Sequence, residues 1–241
     1  MTYKMIIDTD PGVDDALAIA YAVNHPEIEL VGLTTIFGNV SVDQSTANAG
    51  YLLDLLEYKH VPVAKGASVP LKQTPHSFPD FVHGKNGFGD IAVEYPADFK
   101  PHHLSAADFI IEQINQNPGE IILVPIGPLT NIALALQKDP SIAHKVKQVV
   151  IMGGAAHVEG NVSPAAEANI WNDAHAGQIV FSAPWEIVMV GLDVTYQTLM
   201  TMNDMARVKA AAPKTGSFLY DICAHYADFY QNTAGFSGFS L

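Results

Sequence analysis

Cysteine is almost absent from this chain of 241 residues, since Cys223 is the only one. A single cysteine excludes an intrachain disulfide framework. The residues around Cys223 have the pattern of a helix, so we predict a buried structural thiol rather than a nucleophile. The sequence also lacks an apolar run long enough to cross a membrane, and its first residues lack the apolar stretch and cleavage site of a signal peptide. These absences predict a cytoplasmic protein without a membrane partner.

Basic residues are scarce as well. The sequence has 12 lysines and arginines against 25 aspartates and glutamates, which gives a formal net charge of −13. Such a chain repels phosphate backbones, and it has no basic stripe interleaved with aromatic residues. We therefore expect no nucleic acid partner. An acidic site would instead bind a cation or a neutral ligand rich in hydroxyl groups.

Hydrophobic residues are plentiful, at 49% of the chain, which permits a sizeable core in one α/β domain over residues 1–241. Short apolar runs alternate with helical periods. The predicted strands are 5–8, 29–36, 61–64, 121–126, 148–152 and 186–190, and the predicted helices are 14–24, 44–58, 106–115, 131–137, 174–181, 203–212 and 217–231. This alternation predicts a predominantly parallel central sheet flanked by helices, with ligands beyond the carboxyl ends of its strands. Segment 71–103 has few periodic residues and is predicted to be a functional or mobile loop.

The strongest chemical signal lies at the turn between the first predicted strand and its helix. Four carboxylates fall within eight residues there, in the stretch Asp8-Thr9-Asp10-Pro11-Gly12-Val13-Asp14-Asp15. Bunched carboxylates repel one another at low effective dielectric unless a cation neutralises them. Oxygen ligands select calcium or magnesium, and no paired His or Cys spacing indicates zinc. The alternative, that acids merely favour a helix N-terminus, explains Asp14 and Asp15 but not the other two.

Further polar residues follow the ends of other predicted strands. Asn39 follows strand 29–36, Thr130-Asn131 follows strand 121–126, and Asn161, Glu167 and Asn169 follow strand 148–152. Each asparagine alone is typical of a turn. Together, at one edge of a parallel sheet, these donors and acceptors suit the hydroxyl groups of a sugar. The sequence therefore predicts a polyol site next to the acidic turn.

In these motifs the sequence resembles the inosine–uridine preferring nucleoside hydrolases. The resemblance runs from Met5 to the last residue. It rests on the acidic turn at 8–15 and on Gly38-Asn39, His83-Gly84, 123–131, 152–154, 166–170 and 191–195. It implies a Rossmann-like nucleoside hydrolase fold and an enzyme, a nucleoside N-ribohydrolase, that releases ribose and a free nucleobase in purine or pyrimidine salvage. It also implies a homotetramer or a homodimer.

The resemblance also implies roles for individual residues. Calcium (Ca2+) would be bound by Asp10, Asp15 and the backbone carbonyl of Ile126, and Asp10 would be the general base for a calcium-bound water. The ribose hydroxyls would be bound by a polar set, and Met152 would lie beneath the sugar. His83 would lie near the nucleobase, although a lone histidine on a loop is equally typical of an ordinary surface position. The polar set that would bind the ribose is Asp14, Asn39, Asn161, Glu167 and Asn169.

This chemistry has a physical basis, because breaking a ribosyl C–N bond develops oxocarbenium character on the sugar. A base that deprotonates water and carboxylates that stabilise positive charge on the ring both lower that barrier.

The sequence departs from the family pattern at three places. Ala168 stands where the family has an aromatic residue, which would open the pocket. Ala174-His175 stands where the family has a Pro-Glu pair, which we interpret as structural at a helix start. Family members continue beyond Leu241 with a His-Asp pair that follows the stretch resembling 235–241; there the Asp binds calcium and the His lies by the base. We therefore expect the chain to be truncated at its C-terminus and, as such, to bind calcium weakly and turn over poorly.

Two alternatives remain open from the sequence. Asp8-Thr9-Asp10 after a strand is also typical of a haloacid-dehalogenase-like phosphatase, in which Asp8 would be the nucleophile and magnesium the metal. That reading leaves Asn161, Glu167 and Asn169 unexplained. The other alternative is an inactive fragment that binds calcium and nucleosides without turnover.

Overall fold

A six-stranded parallel sheet forms the centre of the molecule in the computed structural model, which describes residues 2–234 and 238–240. Its strands lie in the order β3-β2-β1-β4-β5-β6, and every neighbouring pair is parallel. The predicted parallel sheet is therefore confirmed. The strands are β1 (Tyr3–Thr9), β2 (Ile28–Thr35), β3 (Val63–Lys65), β4 (Ile121–Pro125), β5 (Gln148–Met152) and β6 (Ile187–Val190).

Ten helices accompany the sheet in the described part of the chain. They are α1 (Val13–Asn24), α2 (Val42–Leu55), α3 (Asp80–His83), α4 (Ala106–Gln116), α5 (Thr130–Lys138), α6 (Ala168–Asn172), α7 (Ala174–Phe181), α8 (Leu192–Thr195), α9 (Met202–Ala211) and α10 (Pro213–Ala234). A 3-10 turn spans Pro140–His144, and a small antiparallel pair is made by β7 (Leu199–Met200) and β8 (Phe239–Ser240). No helix among residues 2–234 is both long and apolar enough to cross a membrane.

The two faces of the sheet bury separate apolar clusters, because successive side chains of a strand point to opposite faces. Ile6 lies in one cluster with Phe109 of α4 and Ile132 of α5. Its neighbour Ile7 lies in the other, with residues of α1, α2 and α10 that include Cys223. Burial, and to a smaller extent the charge of Asp14, raises the pKa of the Cys223 thiol to about 12. The prediction of a buried structural thiol is confirmed.

The position of β1 explains where a site forms. From β1 the chain builds β2 and β3 on one side and then returns to place β4 on the other, so the strand order reverses beside β1. Ligands of open parallel sheets bind beyond the carboxyl ends of the strands at such a reversal. The acidic turn leaves β1 there, and Ile126 follows β4 next to it, with its N–H 2.8 Å from the carbonyl oxygen of Asp8.

Segment 71–103 is anchored to the body of the protein although it contains only one short helix, α3. At its start the Leu71 N–H donates to Oδ2 of Asp173 at 2.8 Å. At its end the His102 N–H donates to the carbonyl of Val63 at 2.7 Å. Between them, Phe88 is fully buried. The segment is therefore packed against the core over part of its length, and it carries His83 to the acidic turn.

Candidate active site

The acidic turn is buried at the carboxyl end of the central strand. Asp8, Asp10 and Asp15 are between 1 and 3% exposed, whereas the side chain of Asp14 is 32% exposed. The turn places these carboxylates together because β1 ends at Thr9 and α1 begins only four residues later, at Val13. Three buried acids in one turn are costly unless they are paired or neutralised.

Asp15 is held by three hydrogen bonds. Its Oδ1 accepts from the Thr9 hydroxyl at 2.5 Å, and its Oδ2 accepts from the Gly12 N–H at 2.9 Å and from the Asn39 side-chain amide at 3.0 Å. These bonds connect the end of β1, the start of α1 and the loop after β2. Asp15 therefore has a fixed orientation within the turn.

Asp10 is held on one oxygen and free on the other. Its Oδ2 accepts from the backbone N–H of Asn39 at 2.6 Å. Its Oδ1 is buried and has no hydrogen-bond partner among the described residues. Gly38 and Gly127 pack against this carboxylate so closely that a β-carbon at either position would collide with one of its oxygens. A buried carboxylate oxygen without a partner is the kind of group that a ligand satisfies.

The pKa values of Asp10 and Asp15 reflect the burial of these carboxylates and their closeness to other acids. Burial, and then the charge of Asp15, holds the pKa of Asp10 well above its usual range. Burial and the charge of Asp14 raise the pKa of Asp15 to about 7, against the opposing hydrogen bonds from Thr9 and Gly12. Both directions mean that negative charge is disfavoured here in the absence of a cation.

Asp8 is as buried as Asp10. Its Oδ1 has structural partners, whereas its Oδ2 has no hydrogen-bond partner among the described residues. Its Oδ1 accepts from the Thr34 hydroxyl at 2.5 Å and from the Asn131 amide at 2.8 Å. Asn131 also donates to the carbonyl of Thr35 and accepts from the N–H of Ala67. Asn131 therefore connects strand ends from a buried position and is not part of the open site.

Ile126, Met152 and Asn169 meet at the ends of β4 and β5. The Asn169 side-chain amide donates to the carbonyl of Ile126 at 3.0 Å and to the carbonyl of Met152 at 3.2 Å. Gly127, the residue after Ile126, packs against Asp10. The structure therefore brings Asn169 to the strand end beside the acidic turn, as the position of the polar residues after the strands predicts.

Glu167 caps the short helix α6 and is buried. Its carboxylate accepts from the N–H groups of Gly154, Asn169 and Ile170, at 2.9 to 3.2 Å. Burial raises its pKa, and the charge of Asp14 contributes in the same direction, so the two carboxylates lie within electrostatic reach. Asn161 is exposed on the preceding loop, where its Oδ1 accepts from the N–H of Ala168 at 2.9 Å.

His83 is buried against the acidic turn, so the ordinary surface position that a lone loop histidine suggested is wrong. It is 5% exposed. Its Nδ1 lies 3.3 Å from the Val13 N–H and 3.9 Å from Oδ1 of Asp14. Burial lowers its pKa, while the charge of Asp14 opposes this shift. The helix α3 and the anchored segment around it hold the ring in this place.

Sequence reasoning missed Tyr226. Its hydroxyl donates to Oδ2 of Asp14 at 3.1 Å, and its ring stacks on that of His83 with centroids 5.3 Å apart. Tyr230 lies one helical turn further along α10, with its ring 5.0 Å from that of Tyr226. The only signal in the sequence was the spacing of two tyrosines on one face of a predicted helix, which is also typical of a core.

No group of three or more His, Cys, Asp or Glu side chains within residues 2–234 and 238–240 has the arrangement of a complete metal site. The calcium prediction rests instead on a mixed set of oxygens, two carboxylates and a backbone carbonyl. Such mixed sets are ordinary for calcium.

Comparison with known proteins identifies the family. Residues 5–241 match the sequence model of the inosine–uridine preferring nucleoside hydrolases. The chain belongs to this family. Family membership confirms the predicted class of enzyme, a nucleoside N-ribohydrolase, and the phosphatase alternative is therefore wrong.

Individual relatives agree with this assignment. The chain is 44% identical over 238 residues to uridine nucleosidase 1 of Arabidopsis thaliana. This match covers 99% of the chain and 70% of that protein. The chain is 42% identical to the inosine–uridine preferring nucleoside hydrolase of Leishmania major, covering 96% of the chain and 73% of that protein. The solved structure of a purine-preferring ribonucleoside hydrolase from Gardnerella vaginalis superposes with a TM-score of 0.94 at 40% identity, over 98% of this chain and 76% of that one.

Proposed function

We propose that this nucleoside hydrolase cleaves the N-glycosidic bond of ribonucleosides at the acidic turn, with Asp10 as general base and with calcium bound by Asp10, Asp15 and the carbonyl of Ile126. One observation carries the proposal. Oδ1 of Asp10 is buried without a partner at the point where the strand order reverses, next to two further carboxylates.

The residues present suit a hard cation. The donors are carboxylate and carbonyl oxygens, which calcium prefers. Burial first, and then the charges of neighbouring carboxylates, raise the pKa of Asp10 and of Asp15, so like-charge repulsion adds to the cost of burying their ionised forms without a cation. A bound calcium ion would offset that repulsion and would hold and polarise a water molecule.

We propose that Asp10 takes the proton from the attacking water. The Asn39 N–H fixes Oδ2 and thereby orients the carboxylate, and Oδ1, which has no partner among the described residues, is the oxygen that would accept the proton. A general base must lie within hydrogen-bond reach of the proton that it accepts and must be held there. A β-carbon at Gly38 or at Gly127 would collide with an oxygen of Asp10, so the carboxylate occupies space that only glycine leaves at these two positions.

We propose that the ribose is bound by Asp14, Asn39, Asn161, Glu167 and Asn169, above Met152. Two contacts support this part of the proposal. The Asn169 amide is bonded to the strand ends on both sides, and its Oδ1 accepts no hydrogen bond among the described residues, so this oxygen is available to a sugar hydroxyl. The carboxylate of Glu167 is buried within reach of the charge of Asp14, and both would stabilise positive charge on the sugar ring.

His83 is proposed to lie against the nucleobase. It is stacked on Tyr226 and lies beside Asp14, so it closes one side of the turn. Release of a free nucleobase is the chemistry of nucleoside salvage, which is the role we propose. Because the relatives include a uridine nucleosidase and a purine-preferring hydrolase, the substrate panel must contain pyrimidine and purine ribonucleosides.

The test is the release of reducing sugar from uridine and inosine, measured with added calcium and after treatment with EDTA. In a chain that also carries the family's His-Asp pair, we expect release that requires calcium and falls by about 100-fold or more in Asp10→Asn, the range for loss of a general base. Asp228→Asn, an exposed position on α10, is the control and should retain activity. Sugar release that survives both chelation and Asp10→Asn would overturn the proposal.

A further inference from the structure

A cavity separate from the acidic turn lies beside β3, the strand at one edge of the sheet. It has a volume of about 530 Å³ and lies between the C-terminal end of α2, the residues before β3 and the segment 96–103. None of its lining residues belongs to the candidate active site. Its volume is in the range of small-molecule sites, about 300–1,000 Å³.

The inner wall of this cavity is apolar. Leu53, Val61 and Val63 are buried beneath it. The ring of Phe99 covers Gly50 so closely that a β-carbon there would lie 2.7 Å from three ring atoms. This wall therefore depends on a glycine, and it offers a flat hydrophobic surface to a ligand.

With the histidines neutral, the two lysines of the cavity rim balance its two aspartates, in a protein whose formal net charge is −13. Two lysines and three histidines line the rim, together with two aspartates: Asp54, Lys59, His60, Asp98, Lys100, His102 and His103. Lys59 pairs with Asp54 at 2.6 Å, and its pKa is raised first by that partner and to a smaller extent by Asp98. Asp54 is thus paired with Lys59, whereas Asp98 makes no ion pair with a described residue.

Three other rim groups have no such partner. The side chain of Lys100 makes no ion pair, hydrogen bond or ring contact with any described residue. Among the 12 lysines and arginines it shares this condition only with the side chains of Lys72 and Lys85. The side chains of His60 and His103 donate no hydrogen bond to the described residues either, although each ring lies beside another aromatic ring. His102 is different, since its Nδ1 accepts from the Leu104 N–H. One lysine and two imidazoles, all exposed, therefore line the cavity with side chains that make no hydrogen bond to the described residues.

We propose that this cavity is a binding site for a small organic phosphate. A phosphate monoester carries close to two negative charges and three strong acceptor oxygens, which suits several separate donors such as Lys100, His60 and His103. Lysine binds phosphate as a point charge and needs no fixed fork geometry. The apolar wall and the volume leave room for an organic group, which inorganic phosphate would not use.

Calorimetry with phenyl phosphate tests the proposal, because this probe has a phosphate and a flat apolar group but no ribose for the acidic turn. The wild-type protein should bind it saturably. The double variant Lys100→Gln/His103→Gln should bind it at least about tenfold more weakly, as expected when charge-assisted hydrogen bonds are lost. Lys72→Gln is the matched control, an exposed lysine without a partner elsewhere, and should bind as the wild type does.

Two further measurements sharpen the test. Gly50→Ala should also weaken phenyl phosphate binding, because the Phe99 ring must move, and inorganic phosphate should bind more weakly than phenyl phosphate. The proposal is overturned if phenyl phosphate shows no saturable binding or if the double variant binds it as the wild type does. Inorganic phosphate bound as tightly as phenyl phosphate would overturn the organic part of the assignment. Thermal melts establish that each variant is folded.

Discussion

The hydroxyl of Tyr226 donates a 3.1 Å hydrogen bond to Oδ2 of Asp14, joining two residues that are 212 positions apart in the sequence. Tyr226 also stacks on His83, whose Nδ1 is 3.9 Å from the other oxygen of the same carboxylate. The helix α10 therefore positions the partly exposed acid of the turn together with the histidine from segment 71–103. Orientation of Asp14 depends on a residue that is distant in the chain.

Replacement of Tyr226 by phenylalanine removes this hydrogen bond and retains the ring. We expect kcat/KM for a ribonucleoside to fall about 10- to 100-fold, the usual range for a hydrogen bond to a charged group. The ring contact with His83 remains, so thermal stability should change little. Tyr220→Phe, on the same helix but without a hydrogen-bonded hydroxyl in the described residues, is the control. Equal kinetics for the two variants would contradict a role for Tyr226 in orienting Asp14.

Gly127→Ala tests the proposed calcium site without changing a ligand. A β-carbon at Gly127 would collide with Oδ1 of Asp10 and would lie 2.9 Å from a methyl carbon of Ile36. We expect calorimetry to show calcium affinity reduced at least about tenfold, because displaced ligands lose coordination geometry. At Gly177 in α7 a β-carbon would meet only methyl carbons of Ile170, at 3.7 and 3.9 Å. Gly177→Ala should therefore bind calcium normally, and a similar loss in both variants would argue against the site at Asp10.

Asn169→Ala tests the proposed ribose site. The change removes an amide that bonds to the ends of β4 and β5, and we expect ribose recognition to weaken by about 1–3 kcal/mol, seen as a higher KM or a lower kcat/KM. Asn203→Ala on the exposed side of α9 provides the comparison. Unchanged kinetics in Asn169→Ala would remove this residue from the site.

The stability of the metal-free protein should depend on pH through Asp8. Burial raises the pKa of Asp8 to about 7, although hydrogen bonds from Thr34 and Asn131 oppose the shift. A carboxyl whose pKa is higher in the folded state stabilises the fold while it is protonated, so this contribution is complete below about pH 4 and is lost as pH rises to about 7. Each such group adds a slope of at most about 1.4 kcal/mol per pH unit.

Asp8→Asn should flatten that profile. Asparagine retains an acceptor for Thr34 and Asn131 and cannot ionise, so the loss of stability between about pH 4 and about pH 7 should be smaller than in the wild type. It should not vanish, because the pKa of Asp15 is also raised to about 7. Urea unfolding in EDTA across this range measures the effect, with Asp228→Asn as the control. Parallel profiles for wild type and Asp8→Asn would show that Asp8 does not titrate in this window.

The regular elements could be predicted because their periodicity extends over enough residues. Predicted segments 148–152 and 174–181 coincide with β5 and α7, and the other predicted elements differ from the observed ones by a few residues at their ends. The short elements α3, α6, α8, β7 and β8 were missed, because two to five residues cannot display a period. The stretch 235–237, part of the family resemblance, lies outside the described residues, as does Leu241.

The candidate site, too, could be predicted only in part from the sequence. The acidic turn could be predicted since its acids are adjacent in sequence and a parallel sheet gathers loops at its carboxyl edge. The burial of His83 and the contact of Tyr226 with Asp14 could not, because both depend on how segment 71–103 and α10 pack against α1. The opposite error occurs at Asn131. Its position after a strand predicted a place in the open site, but the residue is buried and its three hydrogen bonds connect the ends of neighbouring elements.

The most direct test of the central claim is the fate of the water oxygen. Uridine and inosine are incubated with calcium and the protein, in a chain that also carries the family's His-Asp pair, in phosphate-free buffer containing oxygen-18 water. Quenching is faster than exchange at the anomeric carbon, and the ribose is analysed by mass spectrometry. We predict free nucleobase and ribose that carries one oxygen-18, formed by the wild type and not by Asp10→Asn. Intact nucleosides, or ribose released only as a phosphate ester when phosphate is added, would contradict hydrolysis by a water that Asp10 deprotonates.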